Sequence, residues 1–294
     1  MSSVNQNEFK AISYLHDGTI GDVWASLASI QQGYKVTGRK AVLYLTNGRE
    51  AFYYKGATHP TYGEDGVTNV MLNEATINMM IPLLKEQDYI ADAKIHSNQP
   101  ISVDLNKIRK TFVNQPYHSL AKWYHYVFPQ LACDLSKPYI TVPDTDKDFA
   151  KGKIIVTRSE RYLNPQVNYV FLKKFEQDIL FCGTEIEYQI FKLRYKLNIE
   201  RLVINDFLEL AQALKQCRFH ITNQTQAAQI SEGMKTPRMV ELCEMAPNVD
   251  FVGENAFEYY SQASLEYYAN RLSGETQKTQ TNGSFVPPML SFNG

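Results

Sequence analysis

The stretch LHDGTIGDVWASLASI, Leu15–Ile30, decides how this chain is read. The run KAISYL that ends at Leu15 is apolar and has the pattern of a buried strand. Beyond the loop, Val23, Leu27 and Ile30 fall on one helical face with Trp24 beside them. Between the two sits His16-Asp17-Gly18-Thr19-Ile20-Gly21-Asp22, which carries two glycines. Strand, glycine loop and helix form the unit with which α/β proteins build ligand sites. Glycine permits the sharp turn, and the helix N-terminus offers unpaired N–H groups. Asp22 then has two readings. It is a cap or helix-terminal charge, stabilising by about 1 kcal/mol, or a carboxylate held for acid–base chemistry.

The alternation continues on both sides of this unit. KAVLYL at 40–45 and IADAKIH at 90–96 read as strands, and NEATINMMIPLLKEQ at 73–87 as a helix. Aromatic-rich NKIRKTFVNQPYHSLAKWYHYVFPQ mixes short helix and loop, and KPYITVPDTDKDFAKGK has the prolines, aspartates and glycine of a linker. Strands follow at KIIVTRS, DILFCGT, IERLVI (199–204), RFHIT, PRMVELC and NVDFVG (248–253). The intervening helices are 164–176, EIEYQIFKLRYKL, NDFLELAQALKQC capped by Asn205 or Asp206, TQAAQISEGM, and a closing helix over 256–272. Such alternation calls for parallel sheets covered by helices on both faces. The expected organisation is one α/β domain over 1–147, a second over 148–272, and an extended or disordered tail over 273–294.

Composition narrows the function. At 294 residues, 44% apolar and 21% charged, the chain is an ordinary globular protein of two-domain length. A net charge of −1 does not advertise nucleic acid or an anionic membrane. The cysteines at 133, 182, 217 and 243 form no CxxC pair, so free thiols in a reducing compartment are expected rather than disulfides or zinc. No apolar run approaches the roughly 20 residues of a membrane span. The expectation is a cytoplasmic protein without a transmembrane segment. GxSxG, HExxH, GxxxxGK and GxGxxG are all missing, which removes the mechanics of the common hydrolases, zincins, P-loop kinases and dinucleotide enzymes.

The ordered series of motifs resembles the ADP-heptose:lipopolysaccharide heptosyltransferases and their relatives. The family's Gly-Asp pair opening the first helix is matched by Gly21-Asp22, and its basic, Ser-containing loop by IIVTRSERYLNP. A strand ending in glycine before an acid-rich helix is matched by ILFCGTEIEYQIF. The nucleotide loop with its following helix, proline and strand is matched by DFLELAQALKQCRFHITNQTQAAQISEGMKTPRMVEL. Most of 150–272 is covered, but only about the first 45 residues of the amino-terminal half. There are departures. The family's Asp-Thr-Gly with a following His is replaced by Gln224-Thr225-Gln226 and Gln229, amides that hydrogen-bond but do not titrate, and its Pro-Gly by Val156-Thr157.

The resemblance implies a GT-B-like architecture, two doubly wound Rossmann-like domains facing a central cleft that closes to exclude water. It implies inverting, metal-independent transfer with no cofactor. The donor would be a nucleotide-diphosphate sugar, and the acceptor a glycan or lipid-linked saccharide of lipopolysaccharide type. Work on such acceptors would place the chain at the inner face of a membrane. Asp22 is the implied catalytic base, with His16, Asp17 and Gly21 in the acceptor-side loop. Donor contacts are expected from Thr157, Arg158, Ser159 and Arg161, since an arginine fork matches phosphate oxygens. Asn223, Gln224 and Thr225 would hold the diphosphate on backbone N–H groups, unless Thr225 caps its helix and competes for them. Gly183, Thr184 and Glu185 would flank the base, and Glu232 would reach the ribose. A catalytically silent nucleotide or sugar binder is the rival reading. Base modification in nucleic acid needs a basic groove, for which Lys107, Arg109 and Lys110 with Lys122 and Trp123 are the candidates.

Overall fold

The computed structural model describes residues 11–51, 61–111, 119–244 and 249–275. Two parallel sheets organise them. The first contains β1 (Ile12–His16), β2 (Ala41–Leu45), β3 (Ile90–Ile95) and β4 (Val103–Asp104), in the order β3-β2-β1-β4. Its helices are α1 (Ile20–Thr37), α2 (Glu74–Lys85), the single turn α3 (Lys107–Lys110) and α4 (Leu120–Val127). The second contains β5 (Ile154–Thr157), β6 (Ile179–Phe181), β7 (Glu200–Arg201), β8 (Phe219–Thr222), β9 (Arg238–Glu241) and β10 (Ala256–Tyr259). Their order is β10-β9-β8-β5-β6-β7, with helices α5 (Glu185–Tyr195), α6 (Phe207–Gln216), α7 (Gln226–Met234) and α8 (Gln262–Ser273). β5, β8 and β9 are buried at every residue, as parallel strands covered on both faces must be.

Both sheets start in the middle, run outward, then return to the other side of their first strand. In such doubly wound sheets the crevice opens where the order reverses, beyond the carboxyl ends of the strands. Here the reversals lie between β1 and β4 and between β5 and β8. The loops that follow β1, β5 and β8 carry Asp17, then Arg158, Ser159 and Arg161, then Asn223, Gln224 and Thr225.

Three expected elements differ. The strand beside β9 is Ala256–Tyr259 rather than 248–253, and pairs in register from Ala256↔Arg238 to Tyr259↔Glu241. The closing helix therefore starts only at Gln262, where Ser261 and Ser264 form a reciprocal capping box. Aromatic-rich AFEYY suits a strand as well as a helix, and the serine pair sets the boundary. The expected helix over 164–176 is a 3₁₀ segment, Tyr169–Asp178. Asn164 donates to the carbonyls of Leu242 (3.1 Å) and Tyr260 (2.7 Å), which ties the preceding chain to the sheet. Of the expected tail, 276–294 lies outside the described residues.

One apolar core crosses between the sheets. Side chains of α1 and α2 join those of α6 and α7, with the buried Trp24 edge-on to Phe207 at 5.8 Å. The crossing chain is pinned as well: Tyr139 and Ile140 N–H both donate to the Gly233 carbonyl, at 2.9 and 3.0 Å. Gly233 has to be glycine, since a Cβ there would meet Tyr139 Cε2 at 2.9 Å and Ile140 closer still. A rigid-body domain closure of the kind expected from the sequence would have to shear this shared core. Among the described residues no helix is long and apolar enough to cross a membrane.

Candidate active site

α1 and α7 meet at their N-termini. A Cβ on Gly21 would lie 3.8 Å from Gln229 Cγ and 4.0 Å from Gln226 Cα. The loops after β1 and β8 therefore face one another, and two positive helix ends converge.

On the first side, Thr19 caps α1 while Asp22 closes the box. The Asp22 N–H donates to Thr19 Oγ1 (3.4 Å), and the Asp22 carboxylate accepts from Thr19 N (2.9 Å) and Thr19 Oγ1 (3.1 Å). The cap residue is thus Thr19, and Asp22 is its partner. The other carboxylate oxygen accepts from Arg109 Nη2 at 2.6 Å, and that guanidinium lies over the Trp123 ring at 5.2 Å. Asp22 is buried. Burial works to raise its pKa, but Arg109, His16 and the Thr19 N–H outweigh it and hold the carboxyl below its usual range. Asp22 is therefore ionised near neutrality.

His16 is also buried, and burial pushes its pKa down to about 4 against the pull of Asp22. Gly18 N–H donates to its Nδ1 (2.9 Å), so the ring proton is on Nε2, which donates to Tyr124 Oη (2.7 Å). Tyr124 in turn donates to the Asp22 carbonyl at 3.0 Å. Both ring nitrogens are thus spent on the frame around Asp22, and His16 does not face an acceptor. Gly18 belongs to that frame: a Cβ would lie 2.7 Å from both Asp22 Oδ2 and His16 Cε1. Asp17 pairs with Arg49 at the rim, and its N–H donates to Asn106 Oδ1 at 2.8 Å.

On the second side, Asn223 clamps the loop after β5. Its Oδ1 accepts from Ser159 N (3.1 Å), and its Nδ2 donates to the carbonyls of Ser159 (3.0 Å) and Arg161 (2.7 Å). Thr157 Oγ1 lies 2.8 Å from His220 Nε2 and donates to Thr222 Oγ1 at 2.8 Å. Burial pushes the His220 pKa down to about 3. Thr225 sits at the N-cap of α7, yet its side chain makes no capping bond. The N–H groups of Gln226 and Ala227 have no partner among the described residues.

Five expected contacts are turned elsewhere. Arg158 is buried and bidentate to Glu241 (2.8 and 3.1 Å), with Tyr169 against its face. That guanidinium is held inside the domain by two of its nitrogens, with only Nη1 left without a hydrogen bond, so Arg161, whose Nε is also buried without a partner, is the one of the pair not tied to Glu241. Glu232 faces inward to Arg238 and Lys235 and accepts from Val252 N–H (3.3 Å), so it does not reach a ribose. Thr184 caps α5 in a box with Glu187, which closes that helix end. Gly183 O accepts from Arg201 Nε (3.1 Å) and Nη2 (3.0 Å), and Glu185 pairs with Arg201 as well. Nor is the basic cluster a free groove: Arg109 serves Asp22, Lys110 lies 3.6 Å from Asp104, and Lys122 pairs with Asp250. Arg109, Tyr124 and Gly18 are the site residues that sequence reasoning did not place there.

No protein-family model matches the sequence, and no curated protein is similar to it. Solved structures are. The E. coli ADP-heptose lipopolysaccharide heptosyltransferase II superposes with a TM-score of 0.58 at 10% identity, covering 92% of this chain and 99% of that one. The E. coli heptosyltransferase WaaC with ADP gives 0.57 at 11% identity, over 92% and 99%. A family 9 glycosyl transferase from Veillonella parvula gives 0.51 at 11% identity, over 91% and 90%. The fold is that of the family 9 heptosyltransferases. At these identities the likeness concerns the fold, and the chemistry rests on the site.

Proposed function

We propose that this chain is an inverting, metal-independent glycosyltransferase that moves a sugar from a nucleotide-diphosphate donor to a glycan or lipid-linked saccharide. The observation that carries the reading is the meeting of an uncapped helix end, α7, with a buried carboxylate on α1. Free N–H groups at a helix N-terminus suit phosphate oxygens, and Arg161 adds a cation from the loop after β5. The fold supports the same assignment, since one neighbour is described as an ADP-heptose transferase and another holds ADP.

In the transfer step, the acceptor oxygen attacks the anomeric carbon from the face opposite the phosphate. Its proton passes to an Asp22 oxygen as the new carbon–oxygen bond forms. The bond from carbon to phosphate oxygen breaks, and the electron pair leaves with the nucleoside diphosphate. The α7 N–H groups and Arg161 meet that charge where it develops. For Asp22 to accept the proton, Arg109 has to release Oδ1, which couples the base to arrival of a substrate group that takes the arginine.

Calorimetric binding of UDP, GDP, ADP and CMP to the whole chain, with Arg161→Ala as control, tests the donor site. One nucleoside diphosphate binding, and binding more weakly after the substitution, is the expected result. Binding by none of them overturns the assignment. A silent nucleotide binder is the rival, favoured by the pairing of Asp22 with Arg109. Turnover that disappears in Asp22→Asn while donor binding persists excludes it.

A further inference from the structure

α1, α2, α4, α5, α6 and α8 each have an N-cap side chain bonded to a backbone N–H of the first turn. α7 does not, although its N-cap is Thr225 and the backbone there (φ −97°, ψ 168°) has the extended geometry of a cap. The reason lies beneath the helix. Thr225 Oγ1 is 3.0 Å from Thr222 Oγ1 and 3.4 Å from Thr157 Oγ1. Thr222 gives its proton to the Asn223 carbonyl (2.8 Å), so its oxygen accepts and Thr225 is the donor. Thr157 is held in turn by His220 Nε2, whose Nδ1 lies 3.0 Å from Ser231 Oγ. Thr157, Thr222, His220 and Ser231 are all buried, so no water competes for these bonds.

A second, separate observation points to a ligand at this helix end. Gln229, 7% exposed, has no hydrogen-bond partner among the described residues. Its side chain leans toward the start of α7, as helical side chains do, and its Cγ lies beside Gly21. Gln226 Oε1 is likewise buried and unsatisfied. A buried oxygen such as Gln226 Oε1 left unpaired costs stability unless a ligand completes it, and the Gln229 amide, unpaired beside it, offers that ligand a further partner. Backbone donors together with amide acceptors fit a ligand that carries both phosphate oxygens and hydroxyls.

We propose that Thr222, held by Thr157 and His220, is a positioning residue: it draws the Thr225 hydroxyl off α7 so that a diphosphate, rather than the side chain, occupies the helix end. The inference rests on the donor-site assignment above and adds residues that touch no ligand. It is tested by titrating UDP, GDP and ADP, and their nucleosides, into the wild-type chain and into Thr222→Val and Thr222→Ser, with the Tm of each. With valine, Thr225 is free to rotate and cap. Diphosphate affinity is expected to fall at least about tenfold, the value of a lost charge-assisted hydrogen bond. Nucleoside affinity should hold while the lost buried hydrogen bonds lower the Tm, and serine should restore both diphosphate binding and Tm. Thr225→Asn, which supplies a cap without joining the hydroxyl cluster, should show the same selective loss with a raised Tm, and it serves if the valine variant does not fold. Diphosphate binding unchanged in Thr222→Val or Thr225→Asn overturns the positioning role and leaves the donor site standing. Equal loss of nucleoside and diphosphate with a lowered Tm also overturns it, as a plain folding defect. No diphosphate binding by the wild type overturns the donor site, and the positioning role with it.

Discussion

Thr19 and Thr225 occupy the same place in two copies of one design, the residue between a parallel strand's loop and the helix that follows it. Thr19 is folded into its helix, bonded to the N–H of Asp22 and answered by the Asp22 carboxylate. Thr225 is turned away, and among the described residues nothing answers the N–H groups it leaves. The difference is set one layer down. Under α1, His16 and Tyr124 organise the loop around a carboxylate. Under α7, His220 and two threonines hold the Thr225 hydroxyl off the helix end. A capped end presents a side chain and suits acid–base work, whereas an open end presents the backbone and suits an anion. On the proposed reading, each Rossmann-like half would serve one of the two uses.

The sharpest way to separate the two ends is Asp22→Asn. Removing a general base typically costs about 10²–10⁴-fold in rate. Turnover of a matched donor and acceptor should fall by that order while nucleotide affinity stays within about twofold, because α7 is untouched. A parallel drop in nucleotide binding, by calorimetry, would join the two ends into one structural unit and break the comparison.

Acid should strain both ends through their histidines. His16 and His220 are held neutral by burial, with pKa values pushed down to about 4 and about 3 from the ordinary 6.5. The unfolded chain then binds protons that the folded chain refuses. Stability is full above the unfolded value and falls as pH drops below it. The loss contributed by His16 ends near pH 4 and that of His220 near pH 3. Each contributes a loss of roughly 3–5 kcal/mol. Urea unfolding from pH 7 to 4 should show it, and His16→Gln should flatten part of the slope. An unchanged slope would mean that the imidazole is not what the α1 loop protects.

Gly18 carries the next effect. A methyl group there meets Asp22 Oδ2 and His16 Cε1 at 2.7 Å, two side chains that are both fixed by hydrogen bonds. Gly18→Ala should cost about 1–3 kcal/mol by denaturant unfolding, the usual range for overpacking. It should also slow transfer more than it weakens nucleotide binding. A neutral substitution would show that the frame around Asp22 yields.

How far the sequence led differs between the halves for physical reasons. The apolar runs of β5, β8 and β9 were legible because strands covered on two faces need continuous apolar residues, and β1, β2 and β3 were legible as well, but the two-residue β4 was not. Asp22 was legible because it stands beside a glycine turn at a helix start. Arg109 was not, since its partner is 87 residues away and only the pairing of β4 with β1 brings them together. Arg158 and Glu232 misled for the same reason: a loop and a helix position suggested exposure, while Glu241 and Arg238 on β9 drew them inward. Strand 256–259 was hidden because YY is equally at home in strand and helix, and the decisive signal was a serine pair.

The smallest effect tests the comparison most directly, by removing the same hydroxyl from both ends. Thr19→Val takes away a working cap and leaves Asp22 without one donor, so a loss of about 1–2 kcal/mol is expected. Thr225→Val takes away a hydroxyl that caps nothing. Thr222 then loses one donor but keeps Thr157, so the change should stay near about 0.5 kcal/mol. Paired chemical unfolding curves are enough to read the gap. Equal losses at the two positions would mean that Thr225 does cap α7 in solution, and that the helix end is closed until a ligand turns the threonine aside. The open end would then be made by the donor and not by the fold.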